Sequence, residues 1–440
     1  MRMRSMRYAR YCLPALLAAS FTANGSDLIE AIRDRNRGAV AALIDSHADV
    51  NAAQPDGATP LAWAAWENDI ETAGLLLKAG AKVNTADEYG ETPLTLACAT
   101  GNAVLVRKFL DAGADANAAR WNGETALMIA AGSGSAEAAR LLIDHGAKVE
   151  AAESRGGQNA LLWAAAGGHA ETVAALLRAG ANANAASKGG FTALIFAAEK
   201  SDAKSLESLL DAGAKIDYAV PAGMNALLIA VAVDHREAAK LLLEKGASVA
   251  SRDRAGNTAL HIAAQQGNIA MAKELIAHGA DVNAGTAAMR GKREPGGETP
   301  LMLAARADRT DLMRLLVEAG ADSSLKAQDG STLLMAAAHS GHPDAVRYAW
   351  QIAPDVKSVT ARQQTVMHAA VTDSMRHSNQ DEICLVIRFL AEQGAELDSL
   401  DADGKTPITI ADVAPIDKAV ELLTQLIAAT GAKPRVATKR

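Results

Sequence analysis

The chain has 440 residues, of which 3% are aromatic and 22% charged, and its formal charge is −7. Four arginines and no acids lie in the first twenty residues, and four basic residues and no acids in the last ten, so the body between them carries about −15. An acidic body argues against nucleic acid as the main partner, and although this length ordinarily implies two or three globular domains, an internal repeat overrides that expectation.

Residues 1–23 read as an export signal. Arg2, Arg4, Arg7 and Arg10 form a basic start, residues 12–19 an apolar run, and Ala18-Ala19-Ser20 or Thr22-Ala23 a small-residue cleavage site. The apolar run is too short to span a bilayer. Residues 24–54 form a first, atypical repeat. It lacks an opening turn, places Asp27 and Glu30 at capping-box spacing, and carries His47 where later copies have Gly80 or Gly113. It is expected to cap the array.

The repeat is clearest in Asp253 to Asn283. Gly256 opens a tight turn where φ > 0 is needed. Thr258 stands at a helix N-cap, and in four other copies a proline follows the threonine, as in Thr59-Pro60. Leu260, Ile262, Ala263 and Ala264 make a short helix, and Gly267-Asn268 breaks it. Ile269, Ala272, Leu275 and Ile276 then mark the apolar face of a second helix, which Gly279 ends. A pair this short cannot bury its own apolar face and needs copies on each side. The opening glycines run Gly57, Gly90, Gly123, Gly157, Gly190, Gly223, Gly256, Gly297, Gly330 and Gly404, mostly 33 apart, with Gln363 at one missing position.

Thr258, Leu260, His261, Ala263, Ala264, Gly267, Gly279, Ala280, Asp281, Val282 and Asn283 carry a pattern that resembles the ankyrin repeat. The resemblance spans about residues 26–430 and implies an all-α solenoid of about twelve helix–turn–helix units joined by β-hairpin-like turns. It also implies that His261 and His368 tie neighbouring turns together by hydrogen bonds. The array is expected over 55–403, with insertions near 284–296 and 372–383, a C-terminal capping repeat over 404–430, and a basic tail over 431–440.

The motifs that suggest chemistry fail on inspection. Gly404-Lys405-Thr406 ends like a phosphate-binding loop, but Ser399 stands where that loop needs glycine. Asp398, Asp401 and Asp403 lack calcium-loop spacing. His339 and His342 have no third ligand. Ser133 has no base beside it. Cys98 and Cys384 lie about eight repeats apart, too far for a disulfide. No catalytic residue, metal site or cofactor is expected.

In the family that the pattern resembles, hairpin tips and first helices line a concave face where proteins bind. Trp66, Tyr89, Trp121, Arg155, Lys188 and Phe191 fall at such positions, and residue types of this kind often dominate binding energy. They are the predicted partner-binding patch. A second candidate is the basic finger Arg290, Lys292 and Arg293 in the first insertion. Trp63 and Trp163 share an inward position and are read as core. The expected protein is a monomeric, non-catalytic interaction scaffold, exported to the periplasm or beyond, with an unidentified protein partner and no stable membrane insertion. A secreted effector acting on a host protein, or a structural, stress-protective periplasmic protein, would share the same fold.

Overall fold

The computed structural model describes residues 24–288, 296–372, 380–431 and 433. The export segment 1–23, the finger residues Arg290, Lys292 and Arg293, and most of the basic tail lie outside these. Among the described residues there are 24 helices and no strand, arranged as twelve helix pairs in an all-α repeat solenoid. The chain divides into two compact units, Met1–Lys148 and Val149–Arg440.

The first unit contains four helix pairs, for example Pro60–Trp66 with Ile70–Lys78. Thr59 caps the first of these, its hydroxyl accepting from the Ala62 N–H at 3.2 Å. The helix starts on a proline, which loses no bond there. Asp69 caps the second helix by accepting from the Thr72 N–H. The core is made by the second, fifth and sixth positions of first helices (Leu61, Ala64, Ala65; Leu94, Ala97, Cys98) and by the fourth and seventh of second helices (Ala73, Leu76; Val106, Phe109), all at most 1% exposed. Alanine at two of three first-helix positions lets neighbouring helices approach closely. Burial holds the Cys98 thiol well above its ordinary pKa, and both described cysteines are free.

The second unit repeats this plan in eight pairs. Its representative pair is Ala259–Gln266 with Ile269–Ala277. The second helix departs from the expected face in one respect. Met271, Ala272 and Leu275 are buried, whereas Ile269 is 36% exposed. Ile269 is the first residue after the Asn268 cap, and the third, fourth and seventh positions are the ones that meet the neighbouring repeat. Part of the second insertion is helix: Gln380–Glu392 has 13 residues, where the corresponding helix of most repeats has nine.

Successive repeats in each unit are also stitched by hydrogen bonds. Asn84 donates to the Gly113 carbonyl at 2.9 Å and accepts from the Asp115 N–H at 2.8 Å. Asn184 does the same with Gly213 and Lys215 in the second unit. His261 is fully buried, accepts from the Thr258 N–H at Nδ1 and donates from Nε2 to the Glu298 carbonyl at 3.0 Å. His368 bonds in the same way to Thr365 and the Lys405 carbonyl. These are the cross-repeat ties that the sequence implied.

Candidate functional site

The hairpins that join the repeats form an ordered row of tips within each unit. In the first unit the Glu88 N–H donates to the Asp56 carbonyl at 3.0 Å, and the Trp121 N–H to the Tyr89 carbonyl at 3.1 Å. In the second unit Lys188 bonds to Gly156 and Arg254 to Ala222 in the same register, at 2.8 and 2.9 Å. At Pro221 the missing N–H leaves the corresponding rung unmade. The tips approach so closely that a Cβ on Gly256, which sits at φ +78°, would meet the Ala287 backbone nitrogen at 2.2 Å. Gln363 takes the same left-handed conformation, φ +58°, without being glycine.

The backbone row leaves the two residues before each turn glycine free to project outward. In the first unit these include Tyr89 and Trp121, 56% and 78% exposed. The Glu88 carboxylate beside the Tyr89 hydroxyl, with Asp87 and Asp56 around it, raises the phenol pKa. Trp66, 50% exposed, ends the helix behind the Asp56 tip. Thus the three candidates of the first unit are all exposed, and two of them occupy adjacent, hydrogen-bonded tips.

The three candidates of the second unit are more committed to their own surroundings. Arg155 and Lys188 are exposed. The Lys188 ammonium donates to the Ser154 carbonyl at 2.6 Å. Burial works against the charge on Glu153, but N–H donors from Gln158, Gly156 and Arg155 outweigh it and hold the carboxyl below its ordinary pKa. Phe191, 37% exposed, stacks on Phe196 of its own repeat with ring centroids 5.7 Å apart.

Trp63 and Trp163 are half-buried rather than core. Both occupy the fourth position of a first helix, which faces the hairpin side instead of the neighbouring pair. The Trp63 indole donates to Gln54 at 3.0 Å and lies under the Arg33 guanidinium, 5.0 Å from the ring centroid. The Trp163 indole nitrogen is enclosed without an acceptor: the hairpin residue in the place of Gln54 is Glu153, whose carboxylate accepts from the Arg155, Gly156 and Gln158 N–H groups instead. The same position holds Leu96 in the first unit and Phe196, Ile229, Ile262 and Leu303 in the second, all partly exposed. A half-open apolar stripe therefore runs along the first helices of each unit, interrupted where Ile129 and Ala336 are buried. The signal was present in the sequence: the fourth residue after most first-helix caps is large and apolar, Ala336 and Ala369 being exceptions, while the fifth and sixth are mostly alanine.

The motifs set aside on sequence grounds have structural duties. The Ser133 hydroxyl donates to the Cys98 and Ala130 carbonyls. Asp401 closes its own turn by accepting from the Asp403 and Lys405 N–H groups, and Thr406 caps the helix that follows. His342 faces Glu382 at 2.8 Å and Asp308 at 3.7 Å. Among the described residues no group of three or more His, Cys, Asp or Glu is placed to hold a metal ion, and no helix is long and apolar enough to cross a membrane.

A family model of ankyrin repeats, built of three copies, matches residues 11–87, 83–153, 150–220, 218–286 and 287–358. The helix pairs continue in the same style to residue 429, beyond the last match. Ankyrin repeats are protein–protein interaction modules and typically not enzymes. With most of its length matched in register and the helix pairs, hairpin row and histidine ties all in place, the chain belongs to the ankyrin-repeat family.

Proposed function

We propose that this protein is a non-catalytic scaffold that binds a protein partner on its hairpin tips and the adjoining helix face. The observation that carries this reading is the exposure of Trp66, Tyr89 and Trp121 in a chain with only 3% aromatic residues. Large rings left open on a rigid, hydrogen-bonded framework cost hydration without adding to the core, and rings of this type supply binding hot spots. The framework is preformed, so association orders few groups. Arg155, Lys188 and Phe191 are the corresponding candidates on the second unit, where Phe196 supports the half-open Phe191 ring. The basic finger Arg290, Lys292 and Arg293 is a further candidate contact. The arginine-rich start and the apolar run after it support export from a bacterial cell to the periplasm or the medium, which leaves a secreted effector or a stress-protective role as variants of the same binding reading.

The test is crosslinking in the native cell followed by affinity capture, with the intact protein and a Trp66→Ala, Trp121→Ala double variant compared after both are shown to be folded. A partner captured by the first and lost by the second supports the scaffold and locates its face. A partner held equally by both moves the site away from these rings. No stoichiometric partner in either sample sinks the scaffold reading in favour of a structural role.

A further inference from the structure

The tips of the first unit carry a charge pattern that specifies the kind of partner. The three hairpins over 52–59, 85–92 and 118–125 hold five carboxylates and one guanidinium. The guanidinium, Arg120, is used internally: it pairs with Glu91 and Glu124, each at 2.7 Å. Among the described residues no Lys or Arg pairs with Asp56, Asp87 or Glu88. The local field shows this deficit. Burial raises the Asp87 pKa against two N–H donors, and the charges of Glu91 and Asp56 push it further up. The outward-facing members are Asp56, Glu88, Tyr89 and Trp121, all exposed and all on tips joined by backbone hydrogen bonds. Carboxylates that repel one another, interleaved with open aromatic faces, suit a cation that has an apolar stem. Arginine and lysine side chains are such groups, stacking on the ring while the charge meets the carboxylate. Among the described residues the corresponding tip positions of the second unit hold Arg155, Lys188, Pro221, Arg254, Gln328, Ala361 and Ala402, none of them aromatic, so carboxylates interleaved with open rings are found on this row in the first unit alone.

We propose that the tip row of the first unit, Asp56, Glu88, Tyr89 and Trp121, receives an extended segment rich in arginine or lysine on a partner protein. Neighbouring tips hold the rings and carboxylates in a row joined by backbone hydrogen bonds, so an extended chain laid along the row meets them in succession. This rests on the scaffold reading above and adds the chemistry of the bound segment.

The test uses the full chain and two fluorescent twelve-residue peptides, one alternating arginine and glycine, the other alternating glutamate and glycine. The arginine peptide is expected to bind, with at least about fivefold weakening between 50 and 300 mM salt as screening sets in; the glutamate peptide is not. Tyr89→Ala with Trp121→Ala should weaken binding about tenfold or more, and Asp56→Asn with Glu88→Gln should do the same without altering shape. Asp111→Asn with Asp144→Asn, two exposed acids on the second helices of the same unit, should leave binding unchanged. Equal weakening by that control pair would show mere attraction of a polycation to an acidic protein and overturn the proposal. Absence of arginine-peptide binding would overturn it too. The scaffold reading would then still stand or fall separately on cellular capture with the Trp66 and Trp121 variant.

Discussion

The hairpin tips of the two units share one backbone and differ in what they display. In both, a glycine turns the chain and an N–H from one tip meets the carbonyl of the previous one. On that frame the first unit places Asp56, Glu88, Tyr89 and Trp121, whereas the second places Arg155, Lys188, Pro221 and Arg254. The interior differs as well. Where the second unit has the buried histidines His261 and His368, the first unit has Ala62, Thr95 and Met128 at the same helix position. The lesson is that repeat geometry is maintained by a few backbone-directed residues, which leaves the tip residues free to differ in charge without loss of the fold.

The largest expected effect separates the interiors. His261→Ala removes a buried ring and its bond to the Glu298 carbonyl, at a cost of about 3 kcal/mol. Native-state hydrogen exchange should show lost protection over residues 259–318 and none in the first unit. Equal loss in both units would break the comparison.

The same histidine makes the second unit acid-sensitive. Burial lowers the His261 pKa from 6.5 to about 4. Below pH 6.5 the unfolded chain takes up a proton that the folded repeat refuses. The stability contributed by neutral His261 is thus complete above about pH 6.5 and is lost as pH falls towards 4, on the order of 3 kcal/mol at most. Urea midpoints followed from pH 7 to 4 should fall, and His261→Met, the residue that Met128 already places there in the first unit, should flatten the fall. An unchanged slope in that variant would remove His261 as the cause.

Asn84→Ala probes the first unit in turn. It leaves the Gly113 carbonyl and the Asp115 N–H without their partner, for a loss of about 2 kcal/mol. Chemical denaturation should register it, and a loss below the measurement error would mean that water replaces the asparagine. Gln363→Gly has the opposite sign: it relieves a left-handed non-glycine residue and should stabilise the second unit by about 1 kcal/mol. A loss of stability would show that the Gln363 side chain has a packing role. Smallest of all, Trp121→Ala should change stability by less than about 0.5 kcal/mol, since the ring is 78% exposed. A larger loss would mean that the ring covers its own hairpin rather than awaiting a partner.

Much of this molecule was legible in order. The turn glycines and the Thr-Pro starts marked the helix pairs, because each is tied to a local backbone requirement that does not depend on neighbours. Tyr89 and Trp121 were recognisable as exposed for the same reason, standing beside a turn glycine. Trp63 and Trp163 were misread as core because a large apolar residue on a helix looks the same whether it faces a neighbouring helix or a hairpin. Ile269 was misread because periodicity alone does not say which turn of a nine-residue helix reaches the next repeat.

The sequence by itself determined the repeat, its period and the helix caps, since those follow from chain geometry and hydrogen-bonding needs within one repeat. Only the tertiary structure decided which apolar residues stay open, that Phe191 rests on Phe196 while Trp121 rests on nothing comparable, and that Arg120 is consumed by Glu91 and Glu124. The exposures and the Arg120–Glu91 pair depend on the distance and direction between repeats, whereas the Phe191 stack and the Arg120–Glu124 pair depend on how a hairpin folds within its own repeat. Exposure and charge compensation are set where repeats meet one another, and no single repeat contains that information.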